Sequence, residues 1–194
     1  MSDRIADLAR EPDSALVDAL EALTHQLASS VEEGENCDLL IGEFNALAGS
    51  HTYTPDMFFE LDGWINERDF AKIAAKGAPP LLENLSKEEL VAIAVIIESG
   101  AEPNVSFFID LLDLNFPEAA SSELFFYPHA DLGNDEIADE LLLRRALYDT
   151  GGGDAVRGRR IELAKQVMEN PNAEPWAIQG AESILNAYEG GNAR

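Results

Sequence analysis

Apolar positions recur at helical spacing along almost the whole chain. Leu16, Leu20, Leu23 and Leu27 lie at i, i+4, i+7 and i+11, the stripe that one face of a helix presents to a core. A short lead-in helix is predicted over residues 2–10, and Pro12 sits where a first helical turn tolerates proline. Gly34 ends the long stripe. Asn36 can cap a second helix carrying Leu39, Leu40, Phe44 and Leu47, stopped at Gly49. Thr54-Pro55-Asp56 opens a short helix through Met57, Phe58, Phe59 and Leu61, interrupted at Gly63. Asn66 starts a fourth helix with Phe70, Ile73 and Ala74, ended by Gly77.

Ala78-Pro79-Pro80 is the clearest linker. Beyond it, Ser86-Lys87-Glu88-Glu89 reads as a capping box, with apolar residues following to Gly100. Pro103-Asn104 leads into Phe107, Phe108, Ile109, Leu111, Leu112 and Leu114, ended by Pro117. Gly133-Asn134 caps a helix through Ile137, Leu141 and Leu142 to Tyr148. Gly151-Gly152-Gly153 is a second break, and helices at 158–169 and 174–189 follow, separated by Asn170-Pro171-Asn172. Alternating strand-like runs are missing, so the expected class is all-α.

The first two blocks look like one pattern written twice. Each has a long helix, a glycine, a second helix, a short aromatic helix beginning near an acid, and a closing helix. Gly34 precedes Asp56 by 22 residues and Gly100 precedes Glu123 by 23. Repetition at ~65 residues points to duplication of a small helical domain. The expected division is an N-terminal bundle at 1–77, a linker at 78–84, a second four-helix bundle at 85–150 and a C-terminal helical pair at 151–194.

Within the second block, Ser121-Ser122-Glu123-Leu124-Phe125-Phe126-Tyr127-Pro128 places an acid, three consecutive aromatics and a helix-stopping proline in eight residues. One helical turn cannot hide three successive aromatics, so at least one should face solvent beside Glu123. Exposed aromatic surface near charge is the composition of a protein-binding hot spot. The competing reading is a core segment feeding a turn.

Charge sharpens the picture. Lys and Arg total 13 against 37 Asp and Glu, a net charge of −24. Residues 12–77 carry net −10, 84–150 net −11 and 151–194 net −1. Such a surface repels nucleic acid and anionic membrane and attracts a basic partner; it also confers solubility by itself. Cys37 is the one cysteine, so no internal disulfide forms; that fits a reducing compartment. Met1-Ser2-Asp3-Arg4 leads into no apolar signal region, and the longest apolar run, residues 91–97, is far below the ~20 residues of a membrane span. A cytoplasmic location is expected.

Residues 85–149 resemble the colicin and pyocin nuclease immunity proteins. The residues that carry the resemblance are Leu85-Ser86-Lys87-Glu88-Glu89-Leu90-Val91 and Ser122-Glu123-Leu124-Phe125-Phe126-Tyr127-Pro128. In the family the second motif typically reads Ser, Asp, Leu, Ile, Tyr, Tyr, Pro. The resemblance implies small acidic bundles of four helices, the third very short, which bind a bacteriocin nuclease domain and silence it. It implies a shared anchor at Ser122, Glu123, Phe126 and Tyr127, and selective contacts from Asp110 and Asp113 on the second helix. Glu123 departs from the family aspartate and Phe126 lacks the family's tyrosine hydroxyl. Glu60 stands in the first block where Tyr127 stands in the second, with no proline after it.

Other chemistry is weaker. His129 and Asp131, with Asp135 and Glu136, lack metal-ligand spacing. His25 is expected as a half-buried packing residue, Cys37 as a core thiol, and Trp64 and Trp176 as packing anchors. Gly151-Gly152-Gly153-Asp154 lacks the strand and Gly-Lys-Ser/Thr of a phosphate loop. Arg157, Arg159 and Arg160 form the one basic cluster, a solvated face or a brace against the acidic blocks. The expectation is therefore an all-α protein of tandem immunity-protein-like four-helix bundles plus a C-terminal helical pair. It is non-catalytic, needs no cofactor or metal, and binds a basic protein such as a nuclease toxin domain, not nucleic acid or membrane. The alternatives are a nucleic-acid mimic and a helical-repeat scaffold.

Overall fold

A computed structural model describes residues 2–50, 52–59, 61, 65–82, 84–116, 119–126 and 132–189, and these form ten helices and no strand. They are α1 (Asp3–Leu8), α2 (Ser14–Glu32), α3 (Asp38–Ala48), α4 (Asp56–Phe59), α5 (Glu67–Lys76), α6 (Lys87–Glu98), α7 (Asn104–Asn115), α8 (Ser121–Phe126), α9 (Asn134–Glu169) and α10 (Pro175–Glu189). The all-α expectation holds. None of these helices is long and apolar enough to cross a membrane.

Among the described residues, three separate apolar cores organise the chain. The first lies among α2, α3, α4 and α5 and encloses Leu20, Leu27, Phe44, Phe58 and Phe70. Phe44 is its centre: the rings of Tyr53, Phe58 and Phe70 lie 5.0, 5.1 and 6.0 Å from it, two of them edge-on. Edge-to-face geometry brings the positive rim of one ring to the negative face of the next. Asp13 caps α2 by accepting from Ala15 and Leu16, and Asn66 caps α5 by accepting from Asp69. Gly49 closes α3 in the left-handed conformation that a side chain would strain.

The second core lies among α6, α7, α8 and the first half of α9, around Ile93, Phe108, Leu111, Leu112, Leu124 and Leu141. The predicted capping box is formed, with Ser86 and Glu89 each accepting from the other's backbone N–H. Asn115 ties the linker to this core: its Oδ1 accepts from Leu82 N at 2.7 Å and its Nδ2 donates to Leu111 O at 2.8 Å.

The N-terminal helix packs away from the first unit. Ile5 of α1 is wholly buried in the second core, not the first. Arg4 and Ser2 both donate to the Glu89 carboxylate, so the capping-box acid is also the dock for the N-terminal helix. Helix α1 is too short to hold itself together, and the apolar slot beside α6 supplies the burial that it lacks. The chain thus starts on the second unit, crosses to build the first, and returns. At the crossing, Lys76 Nζ donates to Arg10 O and lies 4.9 Å from the Phe107 ring.

The break at residues 151–153 is a bend inside α9 rather than a loop. The helix runs 36 residues from Asn134 to Glu169, and Gly152 alone is non-helical, at φ 65° and ψ −164°. After the bend, α9 and α10 enclose the third and smallest core, with Ala164, Val167, Ala177, Ala181 and Ile184.

A candidate protein-binding surface

Helix α8 is positioned at its N-terminal end. Ahead of it, Ala120 takes a left-handed φ of 49°, which turns the chain sharply out of the second core. Asp113 Oδ1 then accepts from Ser121 N at 3.0 Å, fixing the first turn against α7. Leu124 points inward and is buried, and Phe125 packs half-buried against the same core. Phe126, one position on, is left 52% exposed. The argument that three successive aromatics cannot all be hidden therefore holds for Phe126. Tyr127, Pro128 and His129 lie outside the described residues, as do Asp131, Glu60, Trp64 and His51.

Glu123 has a different setting from the one the motif implies. Arg160, on the far arm of α9, donates Nε to its Oε2 at 3.0 Å and Nη2 to its Oε1. The Arg160 guanidinium also lies 5.3 Å from the Tyr188 ring of α10. Beside this pair, Arg159 donates to Glu140 Oε2 at 3.0 Å, and Arg144 Nε donates to Glu140 Oε1 at 2.8 Å. Arg144 is 0% exposed and its Nη1 reaches the Ala119 carbonyl at the head of α8. Burial pushes its pKa down, and the hydrogen bond it donates to Glu140 opposes that shift. The basic cluster is thus a brace: it holds the C-terminal helices to the second unit through α8.

The brace brings a new residue to Phe126. A cleft of about 450 Å³ is lined by Ile97, Glu98, Leu124, Phe125, Phe126, Leu132 and Trp176. Trp176 follows Pro175 in the first turn of α10 and is 46% exposed, so it is not the packing anchor that its composition suggested. The inward stripe of α10 is Ala177, Ala181 and Ile184, and Trp176 stands one residue out of that phase. Glu98 Oε2 accepts from Asn134 Nδ2 at 2.9 Å at the edge of the cleft.

No family model, curated protein or solved structure matches this chain. The functional reading therefore rests on the residues themselves.

The remaining candidates divide. Ser122 is half-buried on α8. Asp113 is tied to α8 through Ser121, whereas Asp110, one turn earlier, acts electrostatically on Tyr53 of the first unit. The pKa of Asp110 is raised, first by burial and then by the like charges of Asp113 and Glu102. His25 is exposed rather than half-buried, with Nδ1 3.1 Å from Glu67 Oε1. Cys37 is a buried free thiol, as expected. The first unit has its own outward apolar residues: Leu39 is 89% and Phe59 68% exposed.

Proposed function

We propose that this protein is a non-catalytic, acidic inhibitor that binds a basic protein, of the kind represented by nuclease immunity proteins. The observation that carries the reading is Phe126, solvent-facing at the end of a very short helix on a molecule of net charge −24. A nuclease that grips phosphates must present Lys and Arg. An acidic surface speeds encounter with those charges, and a dry aromatic contact then slows dissociation. A cytoplasmic site of action, where a producing cell needs protection, is part of the proposal.

The finer architecture belongs to the same proposal: two tandem immunity-like bundles followed by a helical pair. Two features support duplication. Gly34 and Gly100 adopt left-handed φ values of 70° and 67° after the first helix of each unit. Phe59 and Phe126 end the two short helices and both face solvent. The position of Glu123 modifies the family picture, because that acid is bound within the chain by Arg160. Apolar contact at Phe126, rather than a pair through Glu123, would then anchor the partner.

The spread of acid over both units, −10 and −11, favours a second reading, a nucleic-acid mimic. One experiment separates the two. A panel of bacteriocin nuclease domains is assayed for residual nuclease activity against increasing amounts of the protein. Stoichiometric inhibition of one member, weakened at least ~30-fold by Phe126→Ala, supports the inhibitor reading. Inhibition that declines evenly as acids of both units are neutralised, and that ignores Phe126, supports the mimic. Failure to inhibit any member removes the immunity reading.

A further inference from the structure

We propose that the cleft between α8 and α10 is the docking site for a basic polypeptide segment that inserts one apolar side chain, with Trp176 as its second wall. The inference rests on the inhibitor reading and names its contact surface.

Three observations converge on this cleft. First, its two exposed aromatic walls come from different parts of the chain: Phe126 from the second unit and Trp176 from the C-terminal pair. Neither is needed by its own core, since Leu124 and the stripe of Ala177, Ala181 and Ile184 already fill those. Second, the volume of about 450 Å³ and the apolar lining by Ile97, Leu124, Phe125 and Leu132 suit a side chain of leucine or phenylalanine size with part of its backbone. A pocket lined by apolar and aromatic side chains is where binding energy concentrates in protein interfaces.

Third, the charge around the mouth selects the flanks of the incoming segment. Glu98 lines the cleft, Glu136 is exposed at the head of α9, and Glu174 is exposed two residues before Trp176. The nearest cations are committed elsewhere: Arg160 to Glu123, Arg159 to Glu140, and Lys87 to Asp135 and Asp139. An apolar residue flanked by lysine or arginine meets complementary charge here. A second copy of this chain would bring the same negative surface and be repelled.

The brace between Arg160 and Glu123 gains a purpose in this arrangement. It holds α10 at the distance that keeps Trp176 opposite Phe126, so the cleft depends on a pair made wholly inside the chain. Binding specificity would then be written partly in the C-terminal helices, outside the region that resembles the immunity family.

The test uses the full chain with Trp64→Phe, which leaves Trp176 as the sole tryptophan, after circular dichroism shows unchanged helicity. Three synthetic peptides of equal length are titrated: lysine-flanked with a central leucine, lysine-flanked with a central serine, and glutamate-flanked with a central leucine. Binding is measured by calorimetry and the environment of Trp176 by its emission. The expected result is that the first peptide binds and shifts the emission to the blue. The second should bind about 10-fold more weakly or worse without a shift, and the third should not bind. Phe126→Ala should weaken the first peptide about 10-fold or more, whereas Leu39→Ala, a distant exposed apolar residue, should leave it unchanged. Trp176→Ala should weaken the first peptide about 10-fold, and Trp176→Phe should retain most of the affinity, which guards against a folding artefact in the alanine variant.

Binding of the first peptide with unmoved Trp176 emission, or with no effect of Phe126→Ala, overturns the cleft and leaves the acidic-binder reading standing. No binding by either lysine peptide counts against both. A blue shift that grows with protein concentration alone, with a dimer in sedimentation, assigns the cleft to a second copy and also overturns the proposal.

Discussion

Arg160 Nε lies 3.0 Å from Glu123 Oε2, joining residues 37 apart in sequence across the junction between α8 and the outer arm of α9. Both side chains are mostly shielded, at 14% and 22% exposure, so solvent screens the pair less than a surface bridge. Arg160→Gln should cost about 1–3 kcal/mol, from a charged hydrogen bond lost in a partly dry site. The expected signature is uneven. Hydrogen exchange should quicken in residues 153–189, while the core around Phe44 keeps its protection. Uniform loss across the chain would mean that the C-terminal helices are not a separable unit.

The neighbouring arginine obeys different physics. Arg144 is fully buried, and its Nη2 finds no hydrogen-bond partner among the described residues, nor does Ser121 Oγ close by on α8. A buried ion pair is weak evidence of stabilisation, because desolvation of both charges opposes their attraction. Removing one member is still costly. Arg144→Ala should lose about 3–5 kcal/mol, since it opens a cavity and strips the Ala119 carbonyl and Glu140 of a donor. Arg144→Met keeps the volume and leaves Glu140 with Arg159, so it should lose less than half of that. Denaturant midpoints of the two variants, compared at equal m-value, decide it. Equal losses would show that the charge, not the packing, dominates.

Two carboxylates should answer acid in opposite directions. The hydrogen bond from Arg4 holds Glu89 below the ordinary 4.5 of a glutamate; burial, the next largest influence, opposes it, and the hydrogen bonds from Ser86 and Ser2 add to the lowering. An acid whose folded pKa is depressed stabilises the fold above its unfolded pKa, and that stability drains away as pH falls through the folded value. Docking of α1 should therefore loosen below about pH 4.5, and Arg4→Ala should remove that pH dependence. Asp110 is raised above 3.8 by burial, Asp113 and Glu102. Its folded form binds the proton more tightly, so stability falls as pH rises through the window just above 3.8. Asp110→Asn should match the wild type below that window and exceed it at neutral pH. Thermal midpoints at pH 3.5, 5 and 7 give the sign directly.

What could be read from the chain was local. The Ser86–Glu89 box, the Asn66 cap and the left-handed glycines at 34, 49 and 100 depend on residues within one turn, and all are formed. That at least one of the three successive aromatics faces solvent was legible for the same reason, whereas which one does so is set by the fold, with Phe126 52% exposed. What the chain did not announce involves long separations or helix phase. Ile5 and Arg4 meet a surface some 85 residues away, which no periodicity announces. Glu123 entered the candidate anchor through the resemblance of its motif, and its pairing with Arg160, 37 residues on, arrives only through the fold. Trp176 was placed inside by its size, whereas its phase against Ala177 and Ala181 sends it outward.

Gly152 carries the last prediction. Its φ of 65° with ψ of −164° is a combination open to glycine and strained for any residue with a β-carbon. No atom lies within 4 Å of where a β-carbon would sit, so the cost of Gly152→Ala is backbone strain alone. That strain is about 1–3 kcal/mol if the bend is kept. The alternative open to the chain is to straighten. Helix continuation would relieve the strain and carry Arg159 and Arg160 away from Glu140 and Glu123. The neighbouring Gly151 differs, because a β-carbon there would meet Ala155 Cβ at 2.8 Å across the next turn. Spin labels at exposed positions 149 and 165 report the choice. A distance unchanged from the wild type, with a lowered thermal midpoint, means that the Arg160–Glu123 pair outweighs the strain. A longer distance with little loss of helicity means that the glycine, not the salt bridges, sets the direction of the C-terminal arm. Retention of both the distance and the midpoint would be incompatible with the left-handed bend itself.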